Sequence, residues 1–164
     1  MKIAYEYSHL GGKEILQIRF PGILGEIYEV IASVKATRAK VSKEKSKKGR
    51  LLYAPKEMNR AFKNAFHEKG FRELKDFYDI VLPGNSHPVI KGAYKQIDFV
   101  KDKVLVEVQF GKYAFMFYDM AKFQYFFNES KAEVGVEIVP AHALHKKCHP
   151  VSLMVSNLFT TSSD

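Results

Sequence analysis

A mixed α/β fold is predicted for this 164-residue chain by three features: helical and strand periodicities take turns along it, prolines and glycines fall between the periodic segments, and no repeat or linker divides it. Hydrophobic residues make up 46% and charged residues 27%, enough apolar material for one domain with a real core and too much for a disordered chain. No apolar run approaches the roughly 18 residues of a membrane span. The segment from Met1 to His9 lacks the long apolar stretch of a secretory signal. A single cysteine, Cys148, excludes an internal disulfide framework. The cytoplasm is the expected compartment.

The first clear helix follows Pro21, a residue suited to a helix start, with Ile23, Leu24, Ile27, Val30, Ile31 and Val34 at helical spacing. A basic loop comes next, and then Leu51–Tyr53 as a short strand. Pro55 opens a second helix whose Met58, Ala61, Phe62, Ala65 and Phe66 share a face, and Gly70 can end it. Phe77 to Leu82 reads as extended, and Pro83 to Pro88 as a loop. A hairpin turning at Lys101-Asp102 is followed by a third helix from Tyr113 to Phe127, apolar on most faces. Such a helix belongs in the core, and one of its faces can also meet a second copy of the chain. Val134 to Val139 is expected as another central strand.

The chemistry concentrates in the hairpin. Val104, Val106 and Val108 alternate with Leu105, Glu107 and Gln109, so the valines share one face and the polar pair the other. A turn at Lys101-Asp102 returns Asp98 to a diagonal position near Glu107. Two converging carboxylates can hold one Mg²⁺, which takes oxygen ligands and keeps several waters. An ion held there can activate water and stabilise charge on a phosphate under attack. Taken alone, the triplet fits a polar surface hairpin better than a metal site.

Net charge is +8, and its placement matters more than its size. Lys35, Arg38, Lys40, Lys43, Lys45, Lys47, Lys48 and Arg50 are opposed only by Glu44, so this one stretch holds nearly the whole excess. Dense positive charge suits a polyanion, because each neutralised phosphate releases counterions. A solvated loop that keeps the protein soluble accounts for it equally well.

Asp98-Phe99, followed by Glu107-Val108-Gln109-Phe110-Gly111-Lys112-Tyr113 and Phe115, resembles the catalytic segment of BglII/BstYI-type restriction endonucleases, members of the PD-(D/E)XK nuclease superfamily. Glutamine at 109 matches that family's departure from the superfamily's usual lysine, and Ile97 stands where the superfamily has proline. The resemblance is nearer the BstYI branch and extends to Tyr7–Leu10, Ser42–Lys45, Leu52–Pro55 and Val134–Pro140. It implies a PD-(D/E)XK core, a central mixed β-sheet flanked by helices, over an endonuclease domain at residues 1–147.

The same resemblance implies a type II site-specific deoxyribonuclease that hydrolyses DNA phosphodiester bonds with Mg²⁺. Asp98 and Glu107 would be metal ligands together with the Val108 carbonyl, and Gln109 would position the attacking water. Lys112 would read base edges, and Lys43, Lys45, Lys47 and Lys48 would contact DNA. The implied partners are double-stranded DNA with a palindromic GATC-centred site (AGATCT or RGATCY), a second copy of the chain, and a cognate DNA methyltransferase.

Residues 148–164 depart from the family pattern. In the neighbouring reading frame, after one restored adenine in the Lys146-Lys147 codons, synonymous codons permit a Ser-Ser-Gly loop and helix like the family's. This predicts a frameshifted, truncated domain whose tail packs poorly, and makes an inactive nuclease remnant one alternative. A basic DNA-binding protein without catalysis is another. His142, His145, Cys148 and His149 also have a spacing that can ligate Zn²⁺.

Overall fold

The computed structural model describes the chain except residues 37, 42–48, 50, 85, 88, 89, 111–114, 142–149 and 158–164. In chain order its elements are β1 (Lys2–His9), α1 (Gly12–Arg19), α2 (Pro21–Ser33), β2 (Arg38–Val41), β3 (Leu51–Tyr53), α3 (Pro55–Glu68), β4 (Arg72–Ile80), β5 (Ile90–Lys101), β6 (Val104–Val108), α4 (Met116–Asn128), β7 (Val134–Pro140) and β8 (Pro150–Asn157). The mixed α/β expectation holds. One six-stranded mixed sheet runs β1-β8-β7-β6-β5-β4, and β2 pairs with β3 in a small separate hairpin within the basic region.

Helices cover both faces of the sheet. On one, Leu16, Ile27, Ile31, Phe62 and Phe66 pack against Phe99, Val104, Val106, Val108, Val136 and Ile138. On the other, Phe123 and Phe126 of α4 pack on Ile97 and Leu105. The alternation along β6 thus sends its valines to one core and Leu105 to the other, as its period of two requires. All five residues of β6 are buried, which marks it as a central strand.

The β5–β6 turn differs from expectation by one residue. Lys101 is still in the ladder, paired with Val104, and the turn is Asp102-Lys103 with φ of 45° and 67°. Positive φ at both central residues gives the twist that a two-residue hairpin needs. After β6, the chain crosses over through α4 and returns as β7, parallel to β6.

Two further expectations are corrected. Helix α4 buries one stripe, Asp119, Lys122, Phe123 and Phe126, while Phe117 is 85% and Tyr118 52% exposed. One helix lying on one sheet face has only that stripe to bury, however apolar its other sides. The tail does not pack poorly over Pro150–Asn157. That segment is β8, parallel to β1 and antiparallel to β7, with Val155 fully buried. Its backbone satisfies a sheet edge on each side, the strongest demand a strand can meet. Cys148 and the three nearby histidines lie outside the described residues.

Candidate active site

The sheet brings the two predicted carboxylates together. The β5–β6 ladder ends where Phe99 pairs with Val106, and Asp98 and Glu107 are the next residue on each strand, close enough that the Asp98 charge acts on Glu107. The turn sets this: with Lys101 opposite Val104, Val100 and Phe99 pair directly with Leu105 and Val106. Asp98 also sits at a bulge. Arg72 pairs with Val100 and Leu74 with Ile97, so β4 advances two residues while β5 advances three. An extra residue of this kind twists the strand and re-aims its side chains, a device common beside active sites.

Asp98 opens into a surface pocket that it lines with Tyr94, Gln96, Tyr118 and Lys122. Glu107 lies deeper, 5% exposed. Gln109 follows β6 and is half-buried, and its backbone N–H donates to the Ile138 carbonyl at 2.9 Å. That bond continues the parallel pairing with β7, so strand alternation carries Gln109 on the Glu107 side. Val108 pairs with Ile138, and its side chain belongs to the opposite core. Lys112, Lys43, Lys45, Lys47 and Lys48 lie outside the described residues.

Three charged groups not anticipated from the sequence complete the site. Lys122 of α4 donates from Nζ to Glu107 Oε1 at 2.5 Å and pairs with Asp119 Oδ1 at 2.8 Å. Glu137 of β7 is the register partner of Glu107 across the parallel pair, and it is fully buried. Neither Glu137 oxygen, nor Asp119 Oδ2, meets a hydrogen-bond partner while all the carboxylates are ionised. A proton on Glu137 changes that, because its hydroxyl can then donate to Asp119.

The electrostatics follow from this crowding. Burial, then the neighbouring Asp98 charge, pushes the Glu107 carboxyl up to about 9, with the Lys122 ammonium pulling it back down. Burial lowers Lys122, but the charges of Glu107 and Asp119 outweigh it and hold the ammonium above the usual lysine range. Both cannot hold in full, since a proton on Glu107 removes the charge that sustains Lys122. The short contact to Nζ favours an ionised Glu107 paired with a charged Lys122. Glu137 makes no direct ion pair with that ammonium. Burial and then the Asp119 charge push it up to about 8, against a weaker pull down from Lys122, so it carries the proton.

The sequence did hold signals for these residues. Asp119 and Lys122 are charges three apart in an otherwise aromatic helix, and Glu137 interrupts an apolar strand. A charge inside an apolar run is informative because it is costly to bury alone.

The donors at Asp98 and Glu107 are all oxygen, which fits Mg²⁺ rather than a softer metal. Among the described residues, no three His, Cys, Asp or Glu side chains form a metal-holding group. Two carboxylates with a main-chain carbonyl and waters still suit Mg²⁺, which seldom occupies an all-protein cage. None of the described helices is long and apolar enough to cross a membrane.

None of the curated proteins compared with this chain matches it. A family model, restriction endonuclease BglII/BglIII, matches residues 4–162 and so takes in β8 and nearly all of the tail. That span covers the carboxylate pair, the bulge and both helical layers, and the mixed sheet between helices is consistent with the fold of such enzymes. The chain belongs to the BglII/BglIII restriction endonuclease family.

Proposed function

We propose that this protein is a Mg²⁺-dependent type II endonuclease that cuts double-stranded DNA at a palindromic GATC-centred site, AGATCT or RGATCY. The observation that carries the reading is the convergence of Asp98 and Glu107 at the end of the β5–β6 ladder, beside a pocket open to solvent. Asp98, Glu107 and the Val108 carbonyl are the groups that would hold the ion. When bound, Mg²⁺ would polarise the scissile phosphate and make its bound water more acidic.

The chain's own groups do the rest. Gln109 orients the attacking water through its amide, which can accept and donate hydrogen bonds but cannot take up the proton. Lys112 donates to guanine O6 and N7 in the major groove. Lys43, Lys45, Lys47 and Lys48 neutralise backbone phosphates without reading sequence. A palindromic site calls for two-fold protein symmetry, hence a homodimer in which each subunit cuts one strand. The exposed Phe117 and Tyr118 on α4 supply apolar surface for that contact. A cognate methyltransferase protecting the same site, and a cytoplasmic location, complete the proposal.

The test is incubation of the purified protein with unmethylated plasmid and Mg²⁺, followed by mapping of the cut ends. Fragments ending at GATC-centred sites support the reading. Binding without any cut, at every Mg²⁺ concentration, favours a non-catalytic DNA-binding protein instead.

A further inference from the structure

The Glu107 carboxylate already has a cation. Lys122 Nζ reaches Oε1 at 2.5 Å, and Lys122 is only 9% exposed. It also lines the pocket into which Asp98 opens, so it neighbours both groups that would hold a divalent ion. A doubly charged ion and an ammonium on the same carboxylate repel, and a low-dielectric site screens that repulsion poorly. Lys122 has somewhere to go. It already bonds Asp119 Oδ1 at 2.8 Å, a contact it can keep after leaving Glu107. Both residues lie three apart on α4, so the ammonium can leave Glu107 and keep Asp119 without any shift of the backbone.

We propose that Lys122 is a built-in counter-ion of Glu107, one that a divalent cation must displace onto Asp119 in order to bind. The inference rests on the assignment of Asp98 and Glu107 as metal ligands. It makes Lys122 a positioning residue. In the metal-free protein it neutralises Glu107 and fixes its rotamer, and it limits how tightly the ion is held.

The experiment is Mn²⁺ binding to the full chain without DNA, read from the electron paramagnetic resonance signal of free Mn²⁺ at one pH shared by all variants. Lys122→Met removes the competing charge and should tighten Mn²⁺ binding at least about tenfold. Lys122→Arg keeps the charge and adds a bidentate grip on carboxylates, so it should bind no tighter than wild type. A purely structural lysine predicts weaker binding in both variants. Should Lys122→Met fail to fold, Lys122→Gln preserves hydrogen-bond donors without charge and carries the same expectation.

If neither neutral variant folds, the ¹⁵N signal of the wild-type Lys122 ammonium should move on saturation with Mg²⁺. A signal that stays put overturns the proposal. Asp98→Ala separates the two levels of inference. If it binds Mn²⁺ like wild type, the metal-site assignment is wrong. If it loses binding while Lys122→Met and Lys122→Gln show no gain, only the counter-ion role is wrong.

Discussion

Glu107 on β6 and Glu137 on β7 are register partners, yet of the two it is Glu107 that the Lys122 ammonium pairs with directly. The difference decides how each is neutralised, Glu107 by Lys122 and Glu137 by a proton. Burial lifts Glu137 to about 8, above its ordinary value of 4.5. The folded protein therefore binds a proton that the unfolded chain has released over that interval, and stability falls as pH rises through it. Thermal melting between about pH 5 and 8 should show a declining Tm, and Glu137→Gln should flatten the decline. An unchanged slope in the variant would show that Glu137 is ionised when buried.

Gly135 of β7 is the contact point for α4. A Cβ there would meet Phe123 Cδ2 at 2.5 Å and Cγ at 2.6 Å, and Phe123 is fully buried. Gly135→Ala should cost about 1–3 kcal/mol by overpacking, read by urea denaturation. Because Phe123 follows Lys122 directly, the same variant should disturb the Lys122–Glu107 pair. Adding Phe123→Leu should recover part of the loss, and strictly additive effects would mean that the two sites do not touch.

Recognition and electrostatic anchoring should separate. Lys112→Ala should weaken binding to the cognate site by about 1–3 kcal/mol and spare non-specific DNA. Replacing Lys43, Lys45, Lys47 and Lys48 together should weaken binding to every sequence and flatten its salt dependence. An equal loss on all sequences for Lys112→Ala would make it a phosphate contact.

How much of this was legible in the sequence depended on how local each relationship is. The convergence of Asp98 and Glu107 could be read because one short hairpin makes it, and even there the turn lies one residue further along than Lys101-Asp102. Lys122 could not be placed by periodicity. It reaches Glu107 only because α4 crosses back over the sheet between β6 and β7, seated where Gly135 lacks a side chain. The position of β8 was hidden for a similar reason. Its place between β1 and β7 joins opposite ends of the chain, which no local pattern specifies. Departure from the family's residue pattern in that tail does not mean loss of packing, because strand pairing depends on backbone and burial more than on particular residues.

Catalysis by the carboxylate pair is tested most directly by comparing wild type with Asp98→Asn on the same unmethylated DNA, with cleavage in Mg²⁺ and binding without Mg²⁺ measured in parallel. The account predicts that the variant binds the DNA as well as wild type and that Mg²⁺-dependent cleavage is abolished. Cleavage by Asp98→Asn at the wild-type rate would contradict it.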